Sequence, residues 1–200
     1  FNFAQLIALE MNGHFVPLDE ENDTARVVFD DGNILDFAGC VGGSIESDLA
    51  RRDFTVNALA WDSHYPDQVL DLAGGLKDLS DRTLRAVSRQ TFVDDPLRVL
   101  RTFRFANQLK AQIEPGTLFW VKELVQGLDS VAPERINFEL FEALSGPTAG
   151  HLTNQLADCG VLEVIFPELT DCRRVTPNSY HHLGLFEHSI ITVSELDARL

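Results

Sequence analysis

The sequence predicts an α+β fold, a small mixed sheet followed by an all-helical region, and three observations carry that expectation. The runs HFVPLD, ARVVFDDG and NILDFAG, between His14 and Gly39, are rich in strand-forming residues and broken by Asp, Glu, Asn and Gly. Asp31-Gly32, set between VVF and ILDF, is a hairpin signal. From Asp94 onward the apolar residues repeat with a helical period, with Pro115, Pro133 and Pro147 at helix starts and Gly146 and Gly160 at stops.

Taken in order, FNFAQLIALEMN (1–12) reads as the end of an amphipathic helix closed by Gly13 at its left-handed C′ position. The three strand-like runs follow, then the glycine-containing loop GCVGGS. SIESDLARRDFTVNALAWD (44–62) is expected to be helical, capped by Ser44 or Ser47, with acids in its early turns. QVLDL reads as a short strand, and GGLKDLSDRTLRAV as a loop leading into a short helix. Helices are expected over 95–110, 115–127, 133–145 and 148–159, with a last one from about 185.

Two hundred residues with 44% apolar content describe a globular chain long enough to bury a core in one large or two small domains. No apolar run approaches the roughly 18–20 residues of a bilayer span, and nothing at the start resembles a signal peptide. The chain opens at Phe1 without Met, inside a helix-like segment, so a preceding segment is expected. Cys40, Cys159 and Cys172 are odd in number and lack CxxC spacing, which fits reduced thiols in a cytoplasmic protein.

Charge is unevenly placed. The formal net charge is −15, yet ten of the 16 Lys and Arg residues lie between Arg51 and Lys110. An acidic total argues against general coating of nucleic acid; a basic middle fits a focused anion site, or pairing with neighbouring acids. In DDPLRVLRTFRFA, Arg98, Arg101 and Arg104 recur every third residue and, with Asp95, drift across roughly half of a helix. Val99, Phe103 and Ala106 take the other side. Arginines so placed need anions, because a buried unpaired charge costs several kcal/mol. Either a ligand supplies them, or Asp95 caps the helix ahead of Pro96 and the arginines bridge to protein carboxylates. In DLARRDFTVNALA, Arg51 and Arg52 are expected in early helical turns, against the dipole, which suggests phosphate as their partner. A solvated face is the alternative.

Four segments in order, DLARRDFTVNALAWD, VLDLAGGLKDLSDRTLRAV, FVDDPLRVLRTFRFANQL and APERINFEL, resemble successive motifs of the class II tRNA nucleotidyltransferases. That family comprises bacterial CCA-adding enzymes with their A-adding, CC-adding and poly(A) polymerase relatives. The resemblance implies an incomplete polymerase-β-type nucleotidyltransferase head over 1–88, a helical neck over 89–146, and over 147–200 a helical body with the start of an HD-like region. It further implies transfer of CMP and/or AMP from CTP and ATP to the 3′ end of tRNA, with release of pyrophosphate and use of Mg²⁺, in the cytoplasm and without a membrane partner.

By the same resemblance Arg52 is the triphosphate-side contact, and DDPLR matches the motif written EDxxR. Asp95 and Arg98 would then read the Watson–Crick edge of the incoming nucleotide, with Arg101 and Arg104 as further nucleotide-site arginines. Asp94 stands in place of the motif's glutamate. The family's GGxVRD and DxD segments precede the region where this chain begins, so the chain as given is expected to bind a nucleotide without the main metal carboxylates. Asp36, in ILDFA, is a candidate for the third carboxylate, or an ordinary strand acid. Arg135 is expected to brace the pocket, or to form a surface pair. His188 resembles the first histidine of the HD-like region, while His181 and His182 read as surface groups. A poly(A) polymerase, a single-specificity A- or CC-adding enzyme, a non-catalytic nucleotide- or RNA-binding module and an HD-type phosphohydrolase are the alternatives.

Overall fold

A computed structural model of the chain describes residues 1–21, 23–145, 149–177 and 182–197, with Asp197 described in backbone alone. Two compact units emerge, Phe1–Leu49 and Ala50–Leu200.

In the first unit, helix α1 (Asn2–Glu10) precedes strands β1 (His14–Asp19), β2 (Thr24–Val28) and β3 (Ile34–Phe37). The strands form an antiparallel meander with β2 in the centre. The β2–β3 connection turns at Asp31-Gly32 as the sequence predicts: Gly32 has φ +86°, and the Asp31 carboxylate accepts the Asn33 backbone N–H at 2.9 Å. Ala4 and Ala8 of α1 bury against Ala25 and Val27 of β2, ringed by Phe1, Phe15, Phe29 and Phe37. Small residues on the inner face let the helix close on the strand. At its end, Asn12 takes the left-handed conformation expected of Gly13 (φ 54°), and Gly13 N–H reaches back to the Ala8 carbonyl. Glycine is required one position later for space, since a Cβ there would strike the Val27 side chain. The strand-facing contact, invisible locally, moved the special conformation onto asparagine, which tolerates it.

Helix α2 (Ile45–Ala50) begins after Ser44, whose hydroxyl accepts the Ser47 N–H at 3.2 Å. The long helix expected over 44–62 is not formed. After six residues it gives way to a turn at 51–53, a 3₁₀ turn (Thr55–Asn57) and strand β4 (Leu59–Trp61). Extended Phe54 is wholly buried and bridges to Ala86, while Thr55 N–H donates to the Arg85 carbonyl and Val87 N–H to that of Asp53. Pairing with a segment 32 residues onward, through buried Phe54, outweighs the local helical pattern.

β4 pairs antiparallel with β5 (Val69–Asp71), followed by α3 (Gly75–Ser80) and β6 (Thr83–Leu84). Helices α4 (Gln90–Asp94) and α5 (Arg98–Leu109) lead to β7 (Gln112–Ile113), which lies parallel to β6. The remainder is helical: α6 (Pro115–Leu124), a 3₁₀ segment (Val125–Ser130), α7 (Pro133–Leu144), α8 (Ala149–Asp158), α9 (Val161–Ile165), α10 (Leu169–Cys172) and α11 (Leu185–Asp197). Pro115 and Pro133 open their helices as expected, and Gly160 closes α8 with φ +73°. Gly146 and Pro147 lie outside the described residues. One apolar core runs from Phe54 and Leu84 through Phe92, Leu100 and Phe103 to Leu128, Leu156 and Val161.

Asp71 fixes the start of α3 by accepting the N–H groups of Gly75 and Leu76 at 2.8 and 3.0 Å, bonds that hold its carboxyl below the usual range. Gly75 has no room for a side chain, because a Cβ would overlap the Thr55 carbonyl oxygen. Gly75→Ala is therefore expected to lower stability by about 1–3 kcal/mol, seen as a drop in the denaturant midpoint at unchanged slope.

Candidate functional site

The charged residues of the second unit gather where the 51–53 turn, the start of α5 and helix α7 meet. Asp53 stops α2 by accepting the Phe54 N–H at 2.9 Å and the Asn57 side-chain amide at 3.0 Å. Arg51 and Arg52 therefore stand, exposed, at the C-terminal end of a helix and not in its first turns. That corrects the expected conflict with the dipole: a helix C-terminus favours cations, so the local argument for phosphate falls away.

Pro96 disfavours helical geometry at the residue before it. Asp95 is accordingly extended (φ −144°, ψ 97°), and α5 starts at Arg98. The Asp95 carboxylate accepts the Leu97 N–H at 3.3 Å and a bond from Arg135 of α7 at 3.1 Å. It thus braces the turn that leads into α5 and carries an ion pair, but it does not cap the helix as expected, since the N-cap position falls to Leu97. Asp94 is exposed and accepts from the Gln90 amide at 2.8 Å.

Along α5, Val99, Leu100, Phe103 and Ala106 are buried, and the arginines leave on the other side. Arg98 directs Nη1 to the carbonyls of Arg51 and Thr91 at 3.1 and 3.2 Å and to the Thr91 hydroxyl at 3.3 Å. Arg101 grips Asp53 through Nε and Nη2 at 3.0 and 2.6 Å, with Nη1 3.6 Å from Glu139. Arg104 donates to Glu139 at 2.6 and 3.4 Å and to Gln108 at 3.3 Å. Both guanidinium groups also lie over the Phe105 ring, 5.2 and 4.4 Å from its centre. Every nitrogen of Arg104 and two of the three in Arg101 have a hydrogen-bond acceptor in the protein, and the third lies in ion-pair range of Glu139, so the two residues bind the turn and α7 together. Of the rest of the expected set, Arg52 is exposed, while Asp95 and Arg98 are half-buried, bound to Arg135 and to the Arg51 and Thr91 carbonyls.

Glu139, 5% exposed at its side chain, is the residue whose importance sequence reasoning missed. Its signal was faint but present: it shares the buried face of α7 with Leu140 and Ala143, where a carboxylate calls for a cation. Thr91, buried in α4, carried no signal at all.

Asp36 sits on β3 opposite Arg26 of β2 and takes a two-pronged pair from it at 2.6 and 2.9 Å. Those hydrogen bonds hold its carboxyl below the usual range, and a carboxylate so engaged fits a strand acid. Among the described residues no group of three His, Cys, Asp or Glu could hold a metal ion. His182 and His188 are exposed, and His181 lies outside the described residues. The three cysteines are free thiols, Cys159 buried and its pKa raised by that burial. No described helix is long and apolar enough to cross a membrane.

Residues 8–85 match the family described as Poly A polymerase head domain, and 112–173 the one described as Probable RNA and SrmB-binding site of polymerase A. A CC-adding tRNA nucleotidyltransferase of Geobacter sulfurreducens is 44% identical over 82% of this chain and 38% of its own length. An A-adding tRNA nucleotidyltransferase of Deinococcus radiodurans is 34% identical over 98% of this chain and 45% of its own. Among solved structures, the Thermotoga maritima CCA-adding enzyme complexed with tRNA superposes with a TM-score of 0.77 at 30% identity, over 84% of this chain and 41% of that one. A CCA-adding enzyme complexed with ATP gives 0.76 at 30% identity over the same shares. The chain thus spans less than half the length of these relatives. The fold is the expected α+β architecture with a polymerase-β-type head, and the chain belongs to the class II tRNA nucleotidyltransferase and poly(A) polymerase family.

Proposed function

We propose that the protein carrying this chain is a tRNA 3′-terminal nucleotidyltransferase, adding CMP, AMP or both from CTP and ATP and releasing pyrophosphate. The observation that carries this is the hydrogen bond from Arg98 Nη1 to the Arg51 carbonyl at 3.1 Å. It fastens the residue that would read the base to the turn that carries the triphosphate arginine, Arg52. Among the described residues only Nη1 of Arg98 is engaged, so Nε and Nη2 remain as donors. Asp95 keeps acceptor capacity beside Arg135, since a carboxylate offers about four lone-pair sites.

Cytosine and adenine each present an exocyclic amine that a carboxylate accepts and a ring nitrogen that a guanidinium serves. Uracil and guanine present the opposite polarity and would leave both protein groups unpaired. Exposed Arg52 suits the triphosphate, whose oxygens match its fork. Arg101 and Arg104 serve the site by holding the Asp53 turn and α7, the helix that also carries Arg135. The match at 8–85 supports a head ending near residue 88, followed by the neck to 146 and the body beyond.

Mg²⁺ is the metal this chemistry uses, neutralising the triphosphate and activating the primer hydroxyl. The described residues do not fit it, having no suitable ligand group and Asp36 bound to Arg26. A tRNA substrate is consistent with a cytoplasmic setting.

The test incubates the intact protein with tRNA lacking CCA, or ending in C or CC, and each labelled nucleotide. Label from CTP, ATP or both, with none from UTP or GTP, is expected, and the products separate CC-adding, A-adding, CCA-adding and poly(A) activities. Incorporation from all four nucleotides would contradict the proposal. Binding of CTP and ATP without any incorporation would make the protein a binding module.

A further inference from the structure

We infer that Thr91 is a positioning residue for nucleotide selection, on the assignment of Asp95 and Arg98 given above. Thr91 lies in α4 with 2% of its surface exposed. Its hydroxyl donates to the Arg52 carbonyl at 2.8 Å and accepts from Arg98 Nη1 at 3.3 Å. One oxygen therefore stands between the peptide from which Arg52 springs and the guanidinium of Arg98, using its single proton on the first and a lone pair on the second. Its backbone carbonyl takes the same Nη1 at 3.2 Å, and the Arg51 carbonyl takes it at 3.1 Å.

A guanidinium is planar, so acceptors that fix Nη1 also fix the directions of Nε and Nη2. Remove the hydroxyl and Nη1 keeps two carbonyls, while the Arg52 carbonyl loses this donor. Held by two acceptors in place of three, the plane of Arg98 is fixed less tightly and reaches orientations that serve a uracil or guanine carbonyl as well as a ring nitrogen. Selectivity between bases falls more than affinity for the triphosphate, because Arg52 contributes alike for all four nucleotides. Packing makes the opposite demand on this position: valine preserves the shape of threonine without its hydroxyl, and serine preserves the hydroxyl without its methyl.

The test compares Thr91→Val, Thr91→Ser and Arg98→Ala in the intact protein, reading the preference for CTP and ATP over UTP and GTP together with melting temperature. Thr91→Val is expected to lower that preference about tenfold, the scale of one hydrogen bond to a charged group, and Thr91→Ser to retain most of it. Normal selectivity in Thr91→Val with a loss in Thr91→Ser would assign the residue to packing and overturn the inference. Should Thr91→Val fail to fold, Thr91→Ser decides: retained selectivity supports the role and lost selectivity overturns it. If Arg98→Ala leaves selectivity untouched, the base-reading assignment itself falls and takes the inference with it. If Arg98→Ala abolishes selectivity and Thr91→Val does not alter it, the inference alone is overturned.

Discussion

Replacing Arg98 with alanine is expected to weaken CTP and ATP binding together, by about 10- to 100-fold, the loss of one or more hydrogen bonds from a charged donor. The two nucleotides should suffer alike because both offer a ring-nitrogen acceptor at the same edge. The substitution also removes the bonds from Nη1 to the Arg51 and Thr91 carbonyls, so the 51–53 turn loosens and part of the loss is shared by all triphosphates. The reading role proposed for the residue is isolated by the ratio between nucleotides, measured by competition binding. Exchanging the pair, Asp95→Arg with Arg98→Asp, should move that ratio toward UTP or GTP. Absolute affinity will drop further in the exchange, since an arginine at position 95 would face Arg135, the present partner of Asp95. Equal affinity of the unaltered protein for all four nucleotides would remove Asp95 and Arg98 from base selection.

What the sequence made legible was local. Pro115 and Pro133 fix helix starts through their own rings, and Asp31-Gly32 turns the hairpin through its own backbone. The errors arose where distant partners decide. Leu49 to Ala60 looks helical residue by residue, yet Phe54 is drawn into an extended pairing with Ala86. The parallel β6–β7 pair joins two-residue segments separated by α4 and α5, and nothing within either segment announces it. The site divides in the same way. An arginine every third residue on α5 was visible, and so was the need for anions. Which anions answer was not, because Asp53 lies 48 residues from Arg101, and Glu139 lies 35 residues from Arg104. Protein acids answer Arg101 and Arg104, whereas Arg98 is turned to the carbonyls of Arg51 and Thr91 and Arg52 is exposed.

That division makes Glu139 the position where stability and selection meet. Its side chain is 5% exposed and that of Arg104 14%, so the pair is sheltered from solvent, whereas Arg101, at 31%, is partly screened. Glu139→Ala leaves Arg104 buried without its carboxylate, and breaking a buried pair from one side costs about 3–5 kcal/mol. Replacing both members, Glu139→Leu with Arg104→Met, removes the stranded charge as well and should recover most of that loss, because apolar replacements of a buried pair are often neutral. Denaturant unfolding of Glu139→Leu, Arg104→Met and the double should therefore give a coupling of about 3 kcal/mol or more. A single-variant loss within about 0.5 kcal/mol, the range of ordinary surface changes, would show that the pair is screened after all. The double variant separates the two roles. If Glu139 serves only to hold the fold, the recovered protein discriminates nucleotides normally. If it also sets the register of α7, the Arg135–Asp95 pair four residues away on that helix is displaced and selectivity stays low in a protein that is again stable. The second outcome is expected, because an apolar contact restores burial without direction, and the Arg104–Glu139 hydrogen bonds, at 2.6 and 3.4 Å, act with the Asn107–Ala143 bond at the far end of the helix to fix how α7 is turned against α5.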